Sequence, residues 1–118
     1  MVLIKDNHLR LVGSISEAVK RAKQGVKPGI KVEVEANSLE QAKEALRSGA
    51  DMIMLDNMPV KKMKEVVAWV KGRVPLEASG KVTLRKSREI ALTGIDFISV
   101  GSLTHSYKSI DISMEFLK

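Results

Sequence analysis

From residue 30 to residue 56 the chain reads IKVEVEANSLEQAKEALRSGADMIMLD. Ile30 to Glu35 alternates apolar and charged side chains, the period-two pattern of a strand. Ser38 then stands as a helix N-cap, with Gln41 at the third helical position to complete a capping box. Leu39, Ala42, Ala45 and Leu46 recur at helical spacing and make one apolar stripe. Gly49 sits where a helix C-terminus turns out of its spiral. Met52 to Asp56 is a second apolar run, ending on a carboxylate. Strand, helix and strand in this order read as a βα unit whose strands lie parallel.

The same unit repeats to either side. Upstream, Val2 to Asp6 reads as a strand. A helix follows, with Ser14 as N-cap, Glu17 completing a capping box and Ile15, Val19 and Ala22 on its apolar side. Gly25 to Gly29, with Pro28 between them, breaks that helix. Downstream, Pro59 fits the first turn of a helix carrying Met63, Val66, Val67 and Val70. Pro75 to Ser79 reads as the fourth strand, Thr83 to Thr93 as a helix ending at Gly94, and Phe97 to Gly101 as the fifth strand. Ile110 to Leu117 is amphipathic and fits a strand or a helical turn. The strand ends at Glu35, Asp56, Ser79 and Gly101 recur at a nearly constant step, the length of one strand, one helix and two loops. The fold class is α/β, with about five parallel strands and helices between them.

The chain has 118 residues, one domain by length. A closed eight-stranded βα barrel needs roughly 250. A parallel sheet of this length therefore has two unpaired edges, which a partner, a swap or further chain is expected to cover. Cysteine is absent, which excludes disulfides and thiolate metal sites. The longest apolar runs are too short to span a membrane, and the default expectation is the cytoplasm. The formal net charge is +6, yet aromatic residues make up 3% of the chain, too few for a base-stacking nucleic-acid platform. Lys and Arg alternate with Glu along the helical stretches, so most of the positive charge reads as solvated helix faces, with small phosphorylated ligands the next candidate.

In parallel βα folds the chemistry gathers at the carboxyl ends of the strands. Lys5 closes the first strand here, Glu35 the second, Asp56 the third, Glu77 and Ser79 the fourth, Ser99 and Gly101 the fifth. Two carboxylates about 5 Å apart repel by roughly 3 kcal/mol at an effective dielectric near 20. Glu35 and Asp56 on adjacent strands therefore call for a cation between them: Lys5, Mg²⁺ or a positively charged transition state. Ser79-Gly80 and Gly101-Ser102 are strand-to-helix turns on neighbouring strands, where glycine lets backbone N–H groups approach an anion. His8 and His105 both follow strand ends, and their side chains have no assigned role from spacing alone.

Leu3-Ile4-Lys5-Asp6-Asn7-His8, Val32-Glu33-Val34-Glu35, Leu55-Asp56-Asn57-Met58, Glu77-Ala78-Ser79-Gly80, and Ser99-Val100-Gly101 with Leu103-Thr104-His105-Ser106 resemble, in order, the motifs of the quinolinate phosphoribosyltransferase family. The resemblance covers nearly the whole chain. It implies a partial, incomplete βα barrel with helices outside. Residues 1–118 would be its carboxyl-terminal portion, the amino-terminal domain and first barrel strands being absent. The implied reaction joins quinolinate to phosphoribosyl pyrophosphate, giving nicotinate mononucleotide, pyrophosphate and carbon dioxide for NAD synthesis, with Mg²⁺ as cofactor. By resemblance Lys5 binds the phosphorylated substrates. Glu35 and Asp56 hold ribose and the Mg²⁺-pyrophosphate. Ser79, Gly80, Lys81, Gly101, Ser102 and His105 surround the 5′-phosphate.

Two departures from the family pattern shape what is expected. A second glycine usually follows Ser-Gly, and Lys81 stands there instead, either crowding the turn or adding a cation to it. The family's dicarboxylate-binding arginines lie upstream of Met1, whereas Arg10, Arg21, Arg47, Arg73, Arg85 and Arg88 all fall in loops or helical patterns. The chain alone is therefore expected to carry the ribose-phosphate half of the site and no activity by itself. The expected partners are the missing part of the enzyme or a second copy in a homo-oligomer, with no nucleic acid and no membrane. The other readings are a non-catalytic half-barrel that self-associates, and a relative acting on another pyridine acceptor.

Overall fold

The structure is a computed structural model, and it describes residues 1–105 together with 109, 110, 112 and 114. Five strands, β1 (Val2–Ile4), β2 (Val32–Ala36), β3 (Met52–Asp56), β4 (Leu76–Ser79) and β5 (Phe97–Ile98), lie side by side in chain order in one sheet. Every pairing is parallel. Five helices accompany them: α1 (Asp6–Val12), α2 (Ile15–Gly25), α3 (Leu39–Arg47), α4 (Val60–Val70) and α5 (Leu84–Ala91). This is the α/β architecture expected, an open arc of barrel with a helix in each crossover.

Alternation along the strands sorts their side chains onto two faces. Val32, Val34, Ala36, Ile53, Leu55 and Ala78 are fully buried against the helices. Burying a side chain such as Ile53 or Leu55 contributes on the order of 2 kcal/mol. From the helices, Ile15 and Val19 of α2, Ala42 and Ala45 of α3, and Met63, Val66 and Val70 of α4 meet them. The opposite face carries Leu3, Glu33, Glu35, Met52, Met54, Asp56, Glu77, Ser79 and Phe97, matched in register from strand to strand. This is the concave side, the interior of the arc.

The helix starts are set where side-chain caps were legible. Ser14 Oγ accepts from the Glu17 N–H at 3.1 Å, Ser38 Oγ from Gln41 at 3.2 Å and Thr83 Oγ1 from Lys86 at 3.3 Å. Pro59 occupies the N-cap of α4 rather than its first turn. Several boundaries move. β1 stops at Ile4, and residues 6–12, expected as strand end and loop, form α1. The reason is His8, whose Nδ1 accepts from the Lys5 N–H at 2.9 Å and closes the first turn. β2 begins at Val32 rather than Ile30, because the Ile30 N–H is turned back to the Lys27 carbonyl across the Pro28-Gly29 bend. The fifth strand, expected to run to Gly101, is regular only over Phe97 and Ile98. Ser99 still donates its N–H to Ala78, and Gly101–Leu103 then coils into a 3₁₀ turn. The amphipathic tail from Ile110 to Leu117 falls mostly outside the described residues, as does Ser106.

At the opposite end of the sheet, two aspartates fasten strand starts. Asp51 donates its backbone N–H to the Val32 carbonyl, and its Oδ2 accepts from the Val32 N–H at 2.8 Å. Asp96 does the same for Leu76, its Oδ2 accepting at 2.8 Å. Each aspartate ends a Gly-x-Asp run, Gly49-Ala50-Asp51 and Gly94-Ile95-Asp96, a repeat that marks this device in the sequence.

Candidate functional site at the carboxyl ends of the strands

The predicted residues gather at one rim in two neighbouring groups. The first sits above β1, β2 and β3. Lys5 follows β1 directly as the N-cap of α1, Glu35 lies near the end of β2, and Asp56 closes β3. Their charges act on one another. Burial pushes the Glu35 carboxyl above the ordinary range, the Asp56 charge and a hydrogen bond to Asp56 push it the same way, and Lys5 partly offsets them. A carboxyl raised in this way gains from a cation placed beside it.

The second group surrounds a cavity of about 540 Å³ between the ends of β4 and β5. Ser79, Gly80, Lys81, Gly101, Ser102 and His105 all line it, with Val82 and Ser99 completing the wall. All six residues expected around a phosphate thus share one volume. Lys5, Glu35 and Asp56 stand outside its lining. Asp56 and Ser79 are nevertheless register partners, so the two groups meet along the β3–β4 seam.

Asn57 ties that seam together, a role that sequence spacing did not reveal. Its Nδ2 donates to Asp56 Oδ2 at 2.7 Å, and its backbone N–H donates to the Ser79 carbonyl at 2.9 Å. Its own backbone is left-handed, at φ 50°. The side chain lies so close to Gly80 that any Cβ there would collide with it, and Gly80 is itself at φ 93°. At Gly101 the tight neighbour is His105, whose Nε2 would lie 2.7 Å from an added Cβ. Gly80 is thus required by its left-handed backbone and by the nearness of Asn57, whereas a side chain at Gly101 would have to displace the His105 ring.

Lys81 follows Gly80 at φ 46°, a left-handed conformation that an L-residue adopts at a cost. A glycine would hold this backbone without strain. The lysine keeps the turn and puts a cation at the cavity wall. His8, unassigned from sequence, has a structural task as the cap of α1. None of the arginines among the described residues stands at a strand's carboxyl end, as expected; they lie on helices, apart from Arg73, which follows α4. No group of three or more His, Cys, Asp or Glu gathers to hold a metal among the described residues. Nor is any helix among them long and apolar enough to cross a membrane.

Residues 1–115 match the family model for quinolinate phosphoribosyl transferase, C-terminal domain. The chain is 43% identical over 114 residues to a probable carboxylating nicotinate-nucleotide pyrophosphorylase of Bacillus subtilis, covering 97% of this chain and 39% of that protein. It is 40% identical over 118 residues to the carboxylating nicotinate-nucleotide pyrophosphorylase of Rattus norvegicus, covering 98% and 40%. The solved nicotinate-nucleotide pyrophosphorylase of Ehrlichia chaffeensis superposes with a TM-score of 0.87 at 43% identity, over 93% of this chain and 40% of that one. The chain thus spans about 40% of the length of these relatives.

Proposed function

The chain belongs to the family of quinolinate phosphoribosyl transferase C-terminal domains, and on that premise we propose that it carries the ribose-phosphate half of a site transferring phosphoribose to quinolinate. The products would be nicotinate mononucleotide, pyrophosphate and carbon dioxide, a step of NAD synthesis. The observation that carries this reading is the cavity between β4 and β5, walled by Ser79, Gly80, Lys81, Gly101, Ser102 and His105. Two glycine turns there leave backbone N–H groups near an anion, and Lys81 adds positive charge. A sugar whose 5′-phosphate rests in this cavity would extend along the β3–β4 seam toward Asp56 and Glu35.

Breaking the bond from ribose to pyrophosphate leaves positive charge on the sugar ring, and fixed carboxylates stabilise a cation as it develops. Glu35 and Asp56 suit that task. They also suit Mg²⁺, which takes one or two protein carboxylates and completes its shell with water and phosphate oxygens. The ion would neutralise the departing pyrophosphate, with Lys5 beside it as a further positive charge. Dicarboxylate recognition calls for bidentate guanidinium groups. Another barrel segment would supply them, from the same enzyme or from a partner in a homo-oligomer, and the expected setting is the cytoplasm.

Inorganic phosphate and ribose 5-phosphate test the reading directly. Each is expected to raise the thermal midpoint of this chain above that in chloride at equal ionic strength. Ser102→Asp, which sets a negative charge in the cavity, is expected to abolish the gain. Quinolinate with phosphoribosyl pyrophosphate is expected to give no turnover with this chain alone. A midpoint blind to phosphate, or one unmoved by Ser102→Asp, removes the basis for the assignment.

The open edges favour a second reading, a self-associating half-barrel. Among the described residues β1 and β5 each have one unpaired side, and Phe97 on β5 lies exposed, as do Leu84 and Leu92 at the two ends of α5. A phosphate-blind oligomer on size-exclusion chromatography would select it.

A further inference from the structure

The concave face holds charge that the ribose-phosphate reading does not use. The five strands contain four carboxylates, Glu33, Glu35, Asp56 and Glu77, and no basic residue. Glu35 and Asp56 belong to the rim. Glu33 lies two residues deeper along β2, while Glu77 shares the row of Glu35, with Met54 between them. Glu33 is 2% exposed, and its Oε1 has no hydrogen-bond partner. Glu77 is already anchored, its Oε1 accepting from Ser99 Oγ at 2.6 Å. Burial and the charge of Glu77 both push the Glu33 carboxyl above its ordinary range.

Folded proteins rarely leave a buried oxygen without a donor. This one is enclosed on the face opposite the helices, among carboxylates and without a basic residue in any of the five strands. The relatives it resembles are more than twice as long, which leaves chain enough in them to cover this side. A hydrated inorganic ion would have to shed its water to reach a position this enclosed. A side chain presents a bare donor on an apolar stem.

We propose that Glu33 and Glu77 form an acceptor site for one guanidinium or ammonium head group, carried on a side chain that another barrel segment inserts across the concave face. The Glu33 Oε1 takes a donor N–H, and Glu77, held by Ser99, supplies the second negative charge. The pair would thus specify how the rest of the barrel docks, through one buried ionic contact at the centre of the interface.

Methylguanidinium chloride, the head group without its chain, is the probe. It is titrated into this chain at low ionic strength and mildly alkaline pH, with potassium chloride at matched ionic strength as reference. Saturable movement of the Glu33 carboxyl ¹³C resonance is expected, together with a rise in thermal midpoint that potassium does not reproduce. Glu33→Gln is expected to weaken the probe's binding about tenfold. Glu77→Gln, which keeps an acceptor for Ser99, weakens it as well and decides the matter if the first variant does not fold. A response that potassium matches, or that neither variant reduces, overturns the proposal. Neither readout involves phosphate, so the outcome is independent of the ribose-phosphate assignment.

Discussion

At position 81 one residue serves two opposing demands. The backbone there is left-handed, which costs a non-glycine residue about 1 kcal/mol, and the side chain brings a cation to the cavity wall. Lys81→Gly is therefore expected to raise stability by about 1 kcal/mol in urea unfolding while weakening phosphate binding measured by calorimetry. Unchanged or tighter phosphate binding would mean that the lysine merely crowds the turn. The rim residues were legible because each ends an apolar strand, where a charged side chain has little packing reason to be. Asn57 and Glu33 were not. The role of Asn57 depends on a backbone bond to the neighbouring strand, and the isolation of Glu33 Oε1 depends on what covers it, neither of which sequence spacing encodes.

Elements were legible where a local side chain fixes them. Ser14, Ser38 and Thr83 each cap the helix they were expected to start. β3 runs from Met52 to Asp56 as read, since both ends are bounded by polar residues. α1 was missed because its first turn closes through a histidine, an uncommon cap. β5 was overextended because an edge strand has a single neighbour to hold it, and its regular pairing ends at Ile98. The aspartates at the other end of the sheet act at this scale. Asp51 is partly exposed and also pairs with Lys23 at 3.3 Å, so its main contribution is the bond to Val32. Asp51→Ala is expected to cost about 1–2 kcal/mol. Hydrogen exchange should show the loss concentrated at the Val32 amide rather than across the sheet; a uniform loss would contradict the clamp.

For the whole molecule, opposed carboxyl shifts set the response to pH. The Val32 N–H, and then Lys23, hold the Asp51 carboxyl below its ordinary 3.8, so its support is present above that value and lost as pH falls further. Glu33 and Glu35 are raised above their ordinary 4.5, so their support is complete below that value and lost as pH rises through the raised range. The urea midpoint of this chain is expected to fall as pH rises above 4.5 through the raised range of these two carboxyls, and Glu33→Gln with Glu35→Gln should flatten that decline. A midpoint that climbs steadily to neutrality would show that the concave face is better compensated than its contacts indicate. The strands of this sheet stand in the order in which they are synthesised. Each new strand leaving the ribosome finds its pairing surface already built, on the strand made just before it. The nascent domain can therefore assemble by accretion, one β–α unit after another, with no early strand waiting unpaired in the interior for a late partner to arrive between its neighbours.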